Sequence, residues 1–381
     1  MLKPVEKNIQ NGFRNEAVDR LNAVNPKVVS ITGSYGKTSV KHIVGHVLSL
    51  NTKTVTTPGS VNTEMGVARI LREDLAADTE FFVTEMGAYG IGSIARLCRF
   101  TPPKVGIITA IGPAHLERFK TLENTAKAKF ELADAVLAEP DGHMILHESV
   151  MKYGDNFDFI TQNRSRVSVV GPNSDNEFVL ESSSQTKDGI SAVINHSGQS
   201  YEVFAPLFGE HHASNMALAF ATAVVVGIDP SKAVTALRTA PQIKHRLEVK
   251  RQNDGTTYID DAFNSNPKGF AAAMELMGQL KASGASSYLI TPGITELGDD
   301  HAQVHQELGA KAAGLADNLF VVNPGRVPTL ISGFESSGGK TIEKFETFLE
   351  ADARLRGLLK PGDVVLVEND LPDLFNDPLR I

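Results

Sequence analysis

The sequence contains very little cysteine and no excess of positive charge. Cys98 is the only cysteine in 381 residues, so the chain cannot form an internal disulfide framework or a cysteine-rich zinc site. The net charge of −8 provides no broad basic field for nucleic acid. No apolar run reaches the length of a membrane span, and the first residues lack the apolar core of a signal peptide. These absences predict a soluble cytoplasmic protein that binds no nucleic acid.

A glycine-rich turn lies between a β-branched run at 28–32 and a helical pattern that follows it. The turn consists of Gly33, Ser34, Tyr35, Gly36, Lys37, Thr38 and Ser39. In such a turn, backbone N–H groups and the helix dipole can hold phosphate oxygens, a lysine can reach the terminal phosphates, and a threonine hydroxyl can bind Mg²⁺. The full P-loop pattern has glycine where Ile31 stands, so a tight turn with a chance lysine is the alternative. The strand before the turn and the helix after it favour nucleotide binding.

Further apolar strands alternate with helices, which predicts right-handed βαβ units and a parallel sheet. Lys37, Glu85 and His115 each follow the end of such a strand, where ligands of parallel sheets bind. Thr38, Glu85 and His115 offer a hydroxyl, a carboxylate and an imidazole to one or two Mg²⁺ or Mn²⁺ ions. The alternatives are a capping or ion-paired role for Glu85 and an ordinary loop histidine for His115.

One lysine occupies an unusual position on a strongly predicted helix at 121–139. Helical geometry at 100° per residue places Lys129 within the apolar stripe, and places Lys127 and Glu131 on the opposite side. The alternative to a functional lysine is a side chain that extends from the edge of an apolar face into solvent.

Three segments divide the chain. Residues 1–27 read as a short polar helix or arm, and 28–243 as a central P-loop-type domain with a mostly parallel sheet. Within it, 144–204 changes to short alternating segments, which predicts a β-rich elaboration without recognisable chemistry. Residues 244–381 alternate again and predict a smaller, Rossmann-like α/β domain.

Several local predictions complete this α/β interpretation. Residues 54–66 read as a loop whose polar side chains can face a ligand, and 342–359 as a helix. Asp261 follows a strand and precedes the helix that Pro267 begins, so its carboxylate can bind a ribose hydroxyl or cap that helix.

A series of motifs now carries a specific resemblance. The motifs are Thr32-Gly33-Ser34-Tyr35-Gly36-Lys37-Thr38, Glu85-Met86-Gly87-Ala88, His115-Leu116-Glu117, Ala126-Lys127-Ala128-Lys129, His212 with Asn215, His245-Arg246-Leu247-Glu248, and Asp260-Asp261 followed by Asn264-Ser265-Asn266-Pro267. In this order they resemble the Mur ligase superfamily, and most closely its branch of UDP-N-acetylmuramoyl-tripeptide–D-alanyl-D-alanine ligases. That branch is also resembled by Thr57-Pro58-Gly59 with Asn62 and by Thr295-Glu296-Leu297-Gly298. The resemblance covers roughly 28–300.

The resemblance implies an ATP-dependent amide ligase of peptidoglycan-precursor synthesis, which forms an acyl phosphate on a substrate carboxylate and transfers the acyl group to an amine. It implies that Lys37, Lys129 and His115 act in catalysis. It assigns Mg²⁺ to Thr38 and Glu85, a second Mg²⁺ to His115, and a carbamylated side chain that can bridge metals to Lys129. The implied ATP contacts are Gly33, Ser34, Tyr35, Gly36, Lys37, Thr38, Ser39, Asn215 at the adenine, Arg246 at the phosphates and Asp261 at the ribose.

The chain departs from the family pattern before the first strand. Residues 1–27 are too few to form the usual N-terminal domain that grips UDP. We expect a shortened form or fragment, or an acceptor that is not UDP-linked, with a partner as a possible source of the missing domain. The expected substrates are a small carboxylate acceptor and an amine or dipeptide donor. A ligase for a different acid and amine, and a nucleotide-binding partner subunit, are the alternatives.

Overall fold

The computed structural model describes residues 2–112, 116–154, 162–262, 266–295 and 297–368. The chain forms two compact units. The first consists of Met1–Ser184, Ile190–Pro206 and His211–Pro241, and the second of Gln185–Gly189, Leu207–Glu210 and Gln242–Ile381. None of the helices in the described ranges has the length and hydrophobicity that crossing a bilayer requires.

A large sheet and its helices fill the first part of the chain. The strands are β1 (Lys27–Thr32), β2 (Thr54–Thr56), β3 (Phe81–Glu85), β4 (Val105–Ile108), β5 (His143–His147), β6 (Val167–Gly171), β7 (Phe178–Thr186), β8 (Gly189–His196) and β9 (Gln199–Ala205). The helices are α1 (Leu2–Val24), α2 (Lys37–Ser49), α3 (Glu64–Glu73), α4 (Ser93–Phe100), α5 (Leu116–Phe119), α6 (Leu122–Ala138), α7 (Met151–Gly154), α8 (His211–Val225) and α9 (Pro230–Leu237).

This sheet has the strand order β2-β3-β1-β4-β5-β6-β7-β8-β9. Each neighbouring pair from β2 to β7 is parallel, whereas β8 and β9 form an antiparallel pair. The predicted mostly parallel sheet is therefore confirmed. Strand β1 lies between β3 and β4, and it is buried on both faces, as its continuous apolar run predicts. The carboxyl ends of these three strands therefore meet at one edge of the sheet.

Two local predictions for this part of the chain need correction. Residues 54–66 are not wholly loop, because the β-branched Thr54–Thr56 segment pairs in parallel with β3 as an edge strand. The change at residue 144 is not yet the β-rich elaboration. Strands β5 and β6 still extend the parallel sheet, because the segment Met144, Ile145 and Leu146 is fully buried within it.

Helix α6 buries more of its surface than a single amphipathic face would. Lys129 is buried in the stripe as predicted, and Lys127 is exposed. The placement of Glu131 on the solvent side is wrong. Its carboxylate accepts hydrogen bonds from the N–H groups of Gly92 and, at 2.9 Å, Ala95, at the start of α4. Because α6 packs against both the sheet and α4, a second face of the helix is covered.

The second unit contains a six-stranded sheet of order β10-β11-β15-β12-β13-β14, parallel except for β10 with β11. Its strands are β10 (Glu248–Arg251), β11 (Thr257–Asp261), β12 (Ser287–Thr291), β13 (Asn318–Val322), β14 (Thr341–Phe345) and β15 (Val364–Glu368). Its helices are α10 (Pro267–Leu280), α11 (His301–Ala313), α12 (Pro328–Ser336) and α13 (Phe348–Arg356). Adjacent residues such as Leu289 and Ile290 pack into separate cores on the two faces.

The predicted helix at 342–359 is wrong in its first part. The segment begins as strand β14, and the helix starts only after Thr347. Thr347 forms a capping box with Glu350, in which the side chain of each residue accepts a hydrogen bond from the backbone N–H of the other. This cap sets the start of α13 and ends the strand.

We expect Glu131→Ala to lower the free energy of unfolding by about 0.5–2 kcal/mol, because the N–H groups of Gly92 and Ala95 at the start of α4 lose the carboxylate that caps them. Thermal or denaturant unfolding measures the change. Lys127→Ala, on the exposed side of the same helix, is the matched control and should change stability by less than about 0.5 kcal/mol. Equal losses in the two variants would contradict the capping role of Glu131.

Candidate active site

The glycine-rich turn after β1 needs glycine at two positions. Gly33 has a φ of 153°, and a Cβ built on it would lie 2.0 Å from Oγ1 of Thr109. Gly36 has a φ of 79°, and a Cβ there would lie 3.1 Å from Oδ1 of Asn215. The turn therefore packs directly against the segment that follows β4 and against helix α8, and any larger residue would push it away.

Hydrogen bonds fix this turn to the neighbouring strand end. The N–H of Ser34 donates to the carbonyl of Ala110 at 2.8 Å, and Oγ of Ser34 accepts from the N–H of Gly112 at 3.0 Å. Nζ of Lys37 donates to the carbonyl of Ser34 at 3.2 Å, so the lysine folds over the turn. No side chain in the described part of the chain caps α2. The N–H groups at its first turn are thus of the kind that binds phosphate.

A buried carboxylate lies beside the turn, at the end of β3. Oε2 of Glu85 accepts from Oγ1 of Thr38 at 2.8 Å, and Oε1 accepts from Nδ2 of Asn62 at 3.1 Å. Nζ of Lys41 is 3.9 Å from Oε2 and donates to the carbonyl of Gly59. Glu85 is 1% exposed and Lys41 is fully buried. The structure therefore joins α2, β3 and the loop after β2 through one charged centre.

The sequence motifs include Asn62 without giving it a role, and none of them includes Lys41, so neither residue was predicted to belong to this centre. The available signal for Lys41 was its place among the apolar residues Val40, Ile43 and Val44 of α2, one helical turn after Lys37. The polar loop containing Asn62 was predicted to face a ligand, but nothing local indicates that this amide binds a carboxylate at the end of a strand.

Lys129 belongs to the same electrostatic environment. It is 3% exposed. Its pKa is lowered to about 7, mainly by burial and also by the charge of Lys37, while the carboxylates of Glu85 and Glu131 oppose the shift. The structure therefore brings together Lys37, Glu85 and Lys129, three residues that the sequence spreads over more than ninety positions. Near neutral pH a substantial fraction of the Lys129 side chain is the uncharged amine.

Asn215 and His115 are the other predicted site residues in the first part of the chain. Asn215 is buried in the first turn of α8, and its side chain contacts the turn near Gly36 and the His212 ring, with Nδ2 3.4 Å from Nδ1. Its position beside the turn suits a nucleotide contact. His115 lies outside the described residues.

In the second unit, Arg246 and Asp261 are close to each other. Oδ1 of Asp261 accepts from the N–H of Leu247 at 3.0 Å. Burial raises the pKa of Asp261 to about 7, and the Leu247 hydrogen bond and the charge of Arg246 oppose the shift. Both residues lie near the carboxyl end of β11, the position in a parallel sheet where ligands bind.

The donor atoms at the turn suit a small divalent cation. The Thr38 hydroxyl and the Glu85 carboxylate are oxygen ligands, which Mg²⁺ prefers, and they are already held 2.8 Å apart. The carboxylate puts negative charge near the N-terminal end of α2, where it would repel a triphosphate unless a cation lay between them. These residues therefore fit both a nucleotide and its metal ion.

Two family models match the chain in succession. The model of the Mur ligase middle domain matches residues 31–223, and that of the Mur ligase, glutamate ligase domain matches residues 245–368. The chain belongs to the Mur ligase family. The resemblance of its motifs to that superfamily is thus confirmed, and this Mur ligase is of the ATP-dependent class that forms carbon–nitrogen bonds.

Several curated relatives of this Mur ligase are UDP-N-acetylmuramoyl-tripeptide–D-alanyl-D-alanine ligases. The Mycobacterium tuberculosis enzyme is 30% identical over 368 residues, which are 90% of this chain and 70% of that enzyme. The Bacillus subtilis enzyme is 29% identical over 290 residues, covering 76% and 61% of the two chains.

Solved structures of the family share the fold. A crystal structure of MurF from Acinetobacter baumannii superposes with a TM-score of 0.82 at 25% identity, over 97% of this chain and 81% of that one. MurF from Thermotoga maritima, solved in complex with ADP, superposes with a TM-score of 0.72 at 23% identity, over 96% and 81%.

Replacing Lys129 by methionine should stabilise the protein in a pH-dependent way. The folded pKa of about 7 lies below the ordinary value of 10.5, so between these values the unfolded wild type binds a proton that the folded protein does not. The burial cost of Lys129 is therefore greatest below about pH 7 and disappears as the pH rises towards 10.5. We expect Lys129→Met to raise the free energy of unfolding by on the order of a few kcal/mol near pH 6 and by much less near pH 10.

Denaturant unfolding of the variant and the wild type at these two pH values measures the difference. Lys127→Met is the control, because Lys127 is exposed on the same helix and should give no pH-dependent gain. A gain for Lys129→Met that is independent of pH would contradict the lowered pKa.

Proposed function

We propose that this Mur ligase joins D-alanyl-D-alanine, or a closely similar dipeptide, to the carboxylate of a UDP-muramoyl-peptide-like acceptor in peptidoglycan-precursor synthesis. The observation that carries the proposal is the buried Thr38–Glu85 pair beside Lys37, at the edge where the ends of β3 and β1 meet. The names of the curated relatives support the choice of substrates.

In this proposal the chain binds ATP through the turn and the first N–H groups of α2. Lys37 places its charge against the terminal phosphates, which favours transfer of the γ-phosphoryl group to the acceptor carboxylate. The resulting acyl phosphate is then attacked by the dipeptide amine, with phosphate as the leaving group. Asn215 meets the adenine, Arg246 the phosphates and Asp261 the ribose.

Thr38 and Glu85 are the residues we propose to hold Mg²⁺, with His115 as the ligand of a second ion. When bound, Mg²⁺ neutralises charge on the phosphate oxygens during transfer. Glu85 suits this role because its carboxylate is already oriented by Thr38 and Asn62. Little reorganisation is therefore needed when the ion binds.

Lys129 is proposed to react with carbon dioxide. A side chain with a pKa of about 7 supplies the uncharged amine at neutral pH. The amine nitrogen attacks the carbon of CO₂ and loses one proton. The side chain, which is positively charged when protonated, thereby becomes an anionic carbamate. The carbamate oxygens then supply metal ligands where an ammonium would repel the ions.

A direct assay tests the substrates. The protein is incubated with ATP, Mg²⁺, UDP-linked muramoyl tripeptide and D-alanyl-D-alanine, and phosphate release and product mass are measured. We expect both substrates to be required and the product to contain one new amide bond. Turnover only with other acids and amines from a panel would overturn the substrate proposal, and ATP binding without turnover on any pair would favour a partner subunit.

Lys37→Ala should weaken ATP binding by at least tenfold, about 1.4 kcal/mol, because the terminal phosphates lose their cation. Isothermal calorimetry with a non-hydrolysed ATP analogue measures this affinity. Lys53→Ala is the control, since the Lys53 side chain is 73% exposed and is paired only loosely with Asp78. Equal affinities of wild type and Lys37→Ala would contradict the phosphate site.

A further inference from the structure

The backbone around Arg246 has a conformation that side chains rarely adopt. Six residues other than glycine have a positive φ in the described part of the chain, and two of them are His245, at 59°, and Leu247, at 49°. Such a conformation costs on the order of 1 kcal/mol for each residue that has a Cβ. Arg246 lies between them, so surrounding contacts must hold this segment in place.

The first of these contacts comes from Asp260. Nδ1 of His245 donates to its carboxylate, at 2.9 Å from Oδ2 and 3.1 Å from Oδ1. Lys250 donates to the same carboxylate at 3.0 Å and keeps it balanced in charge. Asp260 is 4% exposed. A nearly buried, ion-paired carboxylate therefore holds the residue before Arg246.

The second contact comes from the next residue, Asp261. Its Oδ1 accepts from the N–H of Leu247 at 3.0 Å, and its carboxyl group is hydrogen-bonded to Glu368, which lies opposite it on β15. The Leu247 side chain is buried in the core of the second unit. The residue after Arg246 is therefore held through both its backbone and its side chain.

We infer that Asp260 and Asp261 are a pair of positioning residues for Arg246. Successive side chains of a strand point to opposite faces, so the two carboxylates of β11 hold the 245–247 segment from two sides. The role in the reaction rests on the proposed function, in which Arg246 meets the ATP phosphates. Hydrogen bonds to Leu247 and Glu368 satisfy the half-buried carboxyl group of Asp261 without a ribose hydroxyl.

The physical benefit is preorganisation. An arginine on a loose loop loses backbone and side-chain freedom when it engages a phosphate, and that loss reduces the stabilisation of the transition state. When the backbone is already held in place, this conformational freedom is lost during folding and not when the phosphate binds. The clamp should therefore affect turnover more than the binding of ATP, whose main contacts are proposed at the glycine-rich turn.

A double-mutant cycle with Arg246 tests the inference. We expect Asp260→Ala to lower kcat at least about tenfold with KM for ATP changed less than about threefold. Asp260→Asn should recover most of the loss, because its amide oxygen still accepts from His245. In an Arg246→Ala background, Asp260→Ala should lower kcat by a further factor of less than about two. Equal losses in both backgrounds would overturn the positioning role.

Amide hydrogen exchange of the 243–247 segment tests the clamp without activity. Asp261→Ala should speed exchange at Leu247 by more than about tenfold, while β12 exchanges at the wild-type rate, which separates local loosening from unfolding. Glu343→Ala, which removes an exposed ion pair with Arg354, is the control. If the wild-type protein shows no ligase turnover, the proposed function fails, and hydrogen exchange alone tests the positioning of the 245–247 segment. An unchanged exchange rate at Leu247 in Asp261→Ala would then overturn the inference.

Discussion

The buried carboxylate of Glu85 is the constraint on which the rest of the site depends. It accepts hydrogen bonds from Thr38 and Asn62 and lies 3.9 Å from the fully buried ammonium of Lys41. A carboxylate with almost no exposure is stable only when such donors surround it. The same contacts align helix α2, strand β3 and the loop after β2. Satisfying this buried charge therefore holds the start of α2 beside the end of β3.

The site also contains several buried ionisable side chains, whose burial is energetically unfavourable and which a purely structural core would not contain. Lys41, Glu85 and Lys129 are each no more than 3% exposed, and burial lowers the pKa of Lys129 to about 7. Clusters of buried ionisable groups in which one, here Lys129, has a strongly shifted pKa are typical of functional sites, because their arrangement prepares charge for a ligand. The second unit shows a related arrangement, in which Asp260 and Asp261 hold a strained segment of backbone.

Local pattern was enough to predict the parallel sheet, because fully buried strands consist of continuous apolar runs. It was also enough to place Lys129 within the apolar stripe of its helix, but it left open whether the side chain extends into solvent. It failed for Glu131, because a helical wheel describes one buried face and α6 has two neighbours. The local pattern also failed to predict strand β14, because this short segment mixes polar and apolar residues without a clear period. The contacts of Asn62 and Lys41 join distant segments, so only the folded chain reveals them.

The most direct test of this account is the Mg²⁺ dependence of ATP binding in Glu85→Gln. Glutamine keeps the shape and a hydrogen-bond acceptor but removes the charge that is proposed to hold the ion. Calorimetry with and without Mg²⁺ should show that the ion strengthens ATP binding at least about tenfold in the wild type and less than about threefold in the variant, whose metal-free affinity should not fall. An undiminished effect of Mg²⁺ in Glu85→Gln would contradict the central role of this carboxylate.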